Sequence, residues 1–374
     1  MIKIVEIPSN KKKLKEFVDF TYRLYENSPY FVPNFRDSDL NVLLKSKNPA
    51  FDYCEAKYFM AFKDGKAAGK IAAIINHKYI EKWGKKNGRF GFVDFIDDFE
   101  FTKKLFLAAE GWLKSKGMTG IQGPLGFTDL DPEGMLTRGF DEIGTLTTIY
   151  NYSYYPKYLE KLNYKKEVEW YEYKMKPPSK NIREIEKISN YSKKKLGLKV
   201  VDIKNKKHLL ALAPRIFELI NISYSHLYST VELSEKQIDY YTKEYFSVLN
   251  PKYIRLIENN NEEIIAFGVG LPSVAKAMQE SGGKLFPFGF IKLLKAFKSP
   301  KRVELILIAV HPDYQKKGVN AIILDELIKS CNQYNIEEFD LNPQLATNTD
   351  VISQWDYFDI VQNKNRVSYY KDLK

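Results

Sequence analysis

The sequence predicts a mixed α/β chain in which one domain pattern is written twice. Three observations carry this. Both halves close on a strand-like Val-x-aromatic-Tyr run, Val168–Met175 and Val367–Leu373. Both open on a β-rich run, Ile2–Ile7 and Leu198–Ile203. Each also carries a helical pattern with apolar residues at i, i+3, i+4 and i+7 directly after a strand. With 374 residues, 44% apolar and 14% aromatic, the chain is long enough for two packed cores, which excludes disorder as its main state.

In order, the alternating Ile2–Ile7 run is followed by amphipathic helical sequence and then by strands around the polar turn Lys63-Asp-Gly-Lys66. A strand then leads into the helix marked by Leu105, Ala108, Ala109 and Trp112, and the Val168 strand closes the half. Pro177-Pro178 and the lysine-rich stretch after it mark the boundary, giving domains 1–176 and 196–374 with 177–195 as linker. The second half repeats the scheme, with a turn at Glu258–Glu262 and a helix marked by Leu324, Leu327, Ile328 and Cys331. Each half reads β-α-α-β-β-β-α-β-α-β.

The 58 Lys and Arg exceed the 47 Asp and Glu by 11, so an anionic ligand or surface suits the chain. Cys54 and Cys331 cannot build a disulfide framework, and neither they nor His77, His208, His226 and His311 have ligand spacing, so no metal is expected. No stretch approaches the ~20 apolar residues of a membrane span, and the chain is expected to be cytoplasmic. Net charge with 26 Tyr and 24 Phe also admits a nucleic-acid-binding reading. No such motif is present, however, and packing in two β-rich cores accounts for the aromatics, so no nucleic-acid partner is expected.

The segment Arg302–Ala321 carries the chemistry. A β-branched strand breaks at Pro312 and a helix begins near Gly318. A helix start offers N–H groups without intrahelical partners and a positive dipole end, which together trap phosphate. Gly318 allows close backbone approach, and Gln315, Lys316 and Lys317 add a polar group and two cations. Gln315-Lys-Lys-Gly318-Val-Asn320 resembles the pyrophosphate loop of the GNAT superfamily of N-acetyltransferases, Gln or Arg, two residues, Gly, one residue, Gly or Ala, with Asn320 departing at the last position. Further on, Asn348, Val351, Trp355, Asp359 and Ile360 keep the spacing of the superfamily's later helix. Trp355 stands where the family often has a tyrosine that protonates the departing thiolate; it reads as a core aromatic, and either Tyr357 or Tyr369 serves instead or no acid is needed.

The resemblance implies two tandem GNAT-like domains, each a mixed, mostly antiparallel sheet flanked by helices, and an N-acyltransferase using acetyl-CoA or another acyl-CoA on a small-molecule or peptide amine. It implies that Ala309, Val310, Gln315, Lys316, Lys317, Gly318, Val319, Asn320 and Asn348 bind the thioester donor. Glu304 matches the general base of histone-type members; the alternative is a carboxylate paired with Arg302 or a lysine. His311 is a further candidate or a loop residue. In the first half the corresponding loop, Asp94–Glu100, holds four carboxylates and no glycine, so that half reads as a degenerate copy, although Tyr158–Tyr164 resembles the family helix ending. Gly123–Gly134, with three acids, is either a surface loop or part of an acceptor-amine pocket. Lys284–Arg302 holds six basic residues and no acid; its Phe290, Leu293, Leu294 and Phe297 recur at helical spacing. That helix either packs on its own domain or covers the site, touching an apolar acyl chain or an anionic lipid surface. A non-catalytic acyl-CoA or anion-binding module is the remaining alternative.

Overall fold

The structure, a computed structural model, describes residues 2–177, 182–246, 249–298 and 300–373, without the side chains of Cys331, Asn332, Asp350, Asp356 and Tyr357. The first half comprises β1 (Ile2–Ile7), α1 (Lys11–Leu24), α2 (Arg36–Leu43), β2 (Cys54–Lys63), β3 (Lys66–Asn76), α3 (His77–Trp83), β4 (Asn87–Phe95), α4 (Phe99–Ser115), β5 (Gly120–Gly123), β6 (Met135–Arg138), α5 (Tyr154–Lys161) and β7 (Lys165–Met175). There follow α6 (Ile182–Leu196), β8 (Lys199–Val200), α7 (Lys206–Tyr224), α8 (Glu235–Tyr241), β9 (Ile254–Glu258), β10 (Ile264–Pro272), α9 (Ala275–Ser281) and α10 (Gly289–Lys298). The chain finishes with β11 (Arg302–Val310), α11 (Val319–Tyr334), β12 (Glu338–Leu345), α12 (Thr349–Ser353) and β13 (Ile360–Asp372).

Helix α4 forms where apolar spacing and a cap coincide. In α4, Asp98 accepts from the Phe101 N–H at 3.2 Å, and Phe101, Leu105, Ala109 and Leu113 are buried against the sheet. In α11, Leu324 and Ile328 enter the core with Leu327 beside them; the Cys331 position of that pattern lies outside the described side chains. Between the halves, the stretch expected as linker contains α6. Its Ser189 donates to Asp325 at 2.7 Å and its Ser192 to the Lys317 carbonyl at 3.2 Å, so the helix is fastened along α11.

One mixed sheet runs through the molecule in the order β1-β2-β3-β4-β5-β13-β7-β12-β11-β10-β9-β8, mostly antiparallel, with β6 beside β13. Each half contributes one parallel pair, β4 with β5 and β11 with β12. The closing strands change places: β7 of the first half pairs with β12 of the second, and β13 pairs with β5 of the first. They also pair with each other over most of their length. At this seam Glu172 lies between Lys364 and Arg366, all at 2% exposure or less, with Lys364 Nζ at 2.9 Å.

Candidate functional site

The second parallel pair does not stay together. Its register runs from Arg302 against Glu338 to Leu305 against Leu341, while the strands continue to Val310 and Leu345. Beyond Leu305 the two strands diverge, and between them lies a cavity of about 1770 Å3, walled by Ile306–Val310 on one side and Asn342–Leu345 on the other. The volume exceeds the ~300–1,000 Å3 that suits a drug-sized ligand. Asn342 Nδ2 donates to the Ile306 carbonyl at 3.3 Å and Thr147 Oγ1 to Asn342 Oδ1 at 3.1 Å, bracing the diverging strands against a loop of the first half.

Strand geometry decides which backbone groups face this space. The Ile308 carbonyl accepts from the Tyr224 hydroxyl at 2.9 Å; the Val310 carbonyl accepts from Ser223 at 3.3 Å and from Gln315 Nε2 at 3.1 Å. These carbonyls turn away from β10, and a residue's N–H and C=O point to the same side of a strand. The N–H groups of Ile308 and Val310 therefore point toward the cavity and that of Ala309 toward β10. Of the residues expected to bind the donor, Ala309 and Val310 both line the cavity, but only the Val310 N–H points into it, beside that of Ile308.

At one end the cavity meets the start of α11. Gln315, Lys316 and Asn320 line it, and Asn348 lies on the same wall. Lys316 and Gly318 both take positive φ, 58° and 77°, which swings the chain sharply into the helix. Lys317, Gly318 and Val319 are not on the cavity wall. The reason for glycine at 318 differs from the expected one: a Cβ there would lie 2.4 Å from Ser192 Oγ, so it is α6 that approaches this backbone. The first N–H groups of α11 and the Lys316 cation still suit a phosphate. Diverging strand edges, a helix start carrying Lys316 and a largely apolar cavity thus share one space.

Glu304 is fully buried, at 0% exposure. Its Oε1 accepts from Ser273 at 2.9 Å, and Oε2 has no hydrogen-bond partner. Burial first, and then the Asp340 charge, push its carboxyl up to about 7, against the pull of Ser273, the Leu146 backbone and Arg302. The alternative of an ion pair with Arg302 is not what forms, since Arg302 pairs with Asp340 and Glu338. Glu304 stands one layer behind the cavity, whose wall here is Val303, Leu305 and Leu146. Trp355 is a buried aromatic whose Nε1 donates to Gln344 at 3.0 Å. The Tyr357 side chain lies outside the described residues, and Tyr369 belongs to the core of the first half.

The Gly123–Gly134 loop does reach the site: Asp129, Asp131 and Glu133 all line the cavity. Asp131 is held by the N–H groups of Phe127 and Thr128 at 2.8 and 3.0 Å and shapes the loop. Glu133 is pushed up to about 8 by burial and then by the Asp129 and Asp131 charges. Asp129 is near enough to raise the Tyr224 hydroxyl by charge, and Tyr224 in turn holds Ile308. An acidic wall from one half thus faces the diverging strands of the other. Sequence reading left this loop undecided and missed Tyr224, which only the helical spacing of α7 could have placed.

In the first half the equivalent opening is closed. β4 and β5 pair only over Asn87–Arg89 with Gly120–Gln122, and the chain then folds back so that Leu125 N–H donates to the Phe90 carbonyl at 2.9 Å. Asp94 is buried among Lys70, Thr21 and Tyr25.

Residues 214–353 match the Acetyltransferase (GNAT) family. Protein YghO of Escherichia coli is 28% identical over 347 residues, covering 91% of this chain and 88% of its own length. A bacterial ceramide synthase of Caulobacter vibrioides is 26% identical over 310 residues, 81% of this chain and 79% of its own. Among solved structures, a tandem GNAT protein from the clavulanic acid biosynthesis pathway superposes over 100% of this chain and 99% of its own with a TM-score of 0.55 at 9% identity, a likeness of fold.

Proposed function

We propose, from the match of residues 214–353 to the GNAT acetyltransferase family, that the cavity transfers a long acyl group from an acyl-CoA to the amine of a lipid-like acceptor, forming an amide. The observation that carries this reading is the single cavity joining the α11 start, the diverging β11 and β12, and the acidic wall of the first half. Its size and its apolar extension past Leu271, Val274, Leu293 and Phe297 favour long chains over acetyl. The ceramide synthase relative supports the same class, since a ceramide is an N-acylated long-chain amino alcohol.

The donor would lie along β11, its pyrophosphate at Lys316 and the first turn of α11 and its thioester carbonyl on the N–H groups of Ile308 and Val310, which polarise it. Asp129 and the ionised fraction of Glu133 attract the acceptor as an ammonium. That ionised fraction, which grows as pH rises through about 8, takes the ammonium proton and frees the nitrogen lone pair. The C–N bond forms, the C–S bond breaks, and the second nitrogen proton passes to the departing sulfur, so that CoA leaves as its thiol. Glu304 touches neither reactant; from behind the wall it positions β11 through Ser273.

The test is product analysis by mass spectrometry with acetyl-, octanoyl- and palmitoyl-CoA against a long-chain amino alcohol and a short amine. Amide should accumulate fastest with the long donor and long acceptor. Glu133→Gln should lower turnover by roughly 10²-fold or more and remove a pH dependence near 8, whereas Glu304→Gln should alter the profile near 7. No amide with any pair would overturn the reading, and wild-type turnover in both variants would overturn the roles given to Glu133 and Glu304.

A further inference from the structure

Six of the thirteen exposed large apolar side chains among the described residues fall within 285–294: Leu285, Phe286, Phe288, Phe290, Ile291 and Leu294. The exposures are high where it counts, 77% for Phe286, 68% for Phe288 and 64% for Leu294. Such clustering is not the scatter of single apolar groups that any surface shows. The helix α10 is already fastened from its other side, where Leu293 packs with Val274 and Met278 and Phe297 lies beside them. Its outward face is therefore surplus to folding.

Charge selects the occupant. Lys284, Lys295 and Lys298 are exposed and have no carboxylate partner among the described residues, Lys292 is occupied by Glu280, and no acid occurs from 284 to 302. Exposed aromatics ringed by free lysines match an anionic phospholipid surface, where the rings enter the headgroup boundary and the ammonium groups meet the phosphates. The same segment forms the rim of the cavity, which Lys284, Leu285 and Phe286 line.

We propose that 284–298 is a membrane-docking surface that seats the cavity mouth on an anionic bilayer. The docking stands on the surface itself; that it admits a lipid substrate rests on the acyltransferase reading above. A chain with no helix long and apolar enough to cross a membrane among its described residues would in this way reach a reactant that does not leave the bilayer.

Vesicle co-sedimentation tests it with the full chain. Binding is expected to vesicles of phosphatidylcholine and phosphatidylglycerol in equal parts, to fall with salt, and to be weak on phosphatidylcholine alone. Lys295→Glu with Lys298→Glu should weaken that binding by roughly tenfold or more, and Phe288→Ser with Leu294→Ser should do so without a change in melting temperature. Turnover of a short, water-soluble amine should persist in these variants while turnover of a vesicle-borne amine falls. No vesicle binding by the wild type, undiminished binding by both variants, or a self-associated chain that buries this face and leaves vesicles alone would each overturn the docking. Normal vesicle binding with no amide from any amine would overturn the acyltransferase reading and leave the docking standing.

Discussion

Glu304 shows what a single buried carboxylate does to the chain. Its folded-state pKa, about 7, is raised above the ordinary glutamate value, so the stability it contributes is complete below the unfolded pKa and is lost as pH rises through about 7. One pKa unit corresponds to about 1.4 kcal/mol, so the loss between pH 4 and pH 8 is on the order of 3 kcal/mol. Glu304→Gln should flatten this part of the stability curve in urea titrations at a series of pH values; an unchanged slope would mean that the carboxyl is hydrated. Gly318 is a different case. The position combines φ of 77° with α6 at its back, so Gly318→Ala should cost about 1–3 kcal/mol from backbone strain, with Ser192 forced to release the Lys317 carbonyl. That glycine was legible in the sequence and its reason was not, because a turn glycine looks the same whether a phosphate or a helix approaches it.

At the scale of elements, two parallel strand pairs end differently although they begin alike. The second pair opens after Leu305 because Asn342, Tyr224 and Ser223 hold the freed backbone carbonyls of β11 with side chains. The first closes because residues after Gly123 turn back across β4, where a Cβ at Gly91 would meet the Leu125 carbonyl at 2.1 Å. The strand, loop and helix from Arg302 to Tyr334 were readable from alternation followed by helical spacing. The acidic wall was not, since its partner strands lie some 170 residues further along the chain. The seam strands β7 and β13 carry their own test. Glu172 is shared between Lys364 and Arg366, which hold its carboxyl low against the cost of burial. Glu172→Ala leaves two buried cations unpaired and should cost about 3–5 kcal/mol in urea unfolding; a loss below about 1 kcal/mol would show that water reaches the seam.

The whole molecule is a pair of like halves joined by exchanged strands. Both closing strands read Val-x-aromatic-Tyr, and alternation tells which face is buried but not which neighbour a strand takes, so the exchange was invisible in the sequence. It has a consequence for dissection. A fragment of residues 1–176 would lack β13, which lies between β5 and β7, and would expose two unpaired strand edges. Expressed alone it should be insoluble or unfolded by circular dichroism, and a folded, monomeric fragment would contradict the exchange.

The proposed function rests on the same arrangement, because the acidic wall and the diverging strands come from opposite halves and line one cavity. The central claim, that a CoA thioester lies between the diverging strands of the second half, is tested most directly by a crystal structure of the full chain with a non-hydrolysable long-chain acyl-CoA analogue. The account predicts the pantetheine arm between Ile306–Val310 and Asn342–Leu345 with the pyrophosphate at Lys316 and the start of α11. A ligand bound against β4 and β5 of the first half, or anywhere outside that cavity, would contradict it.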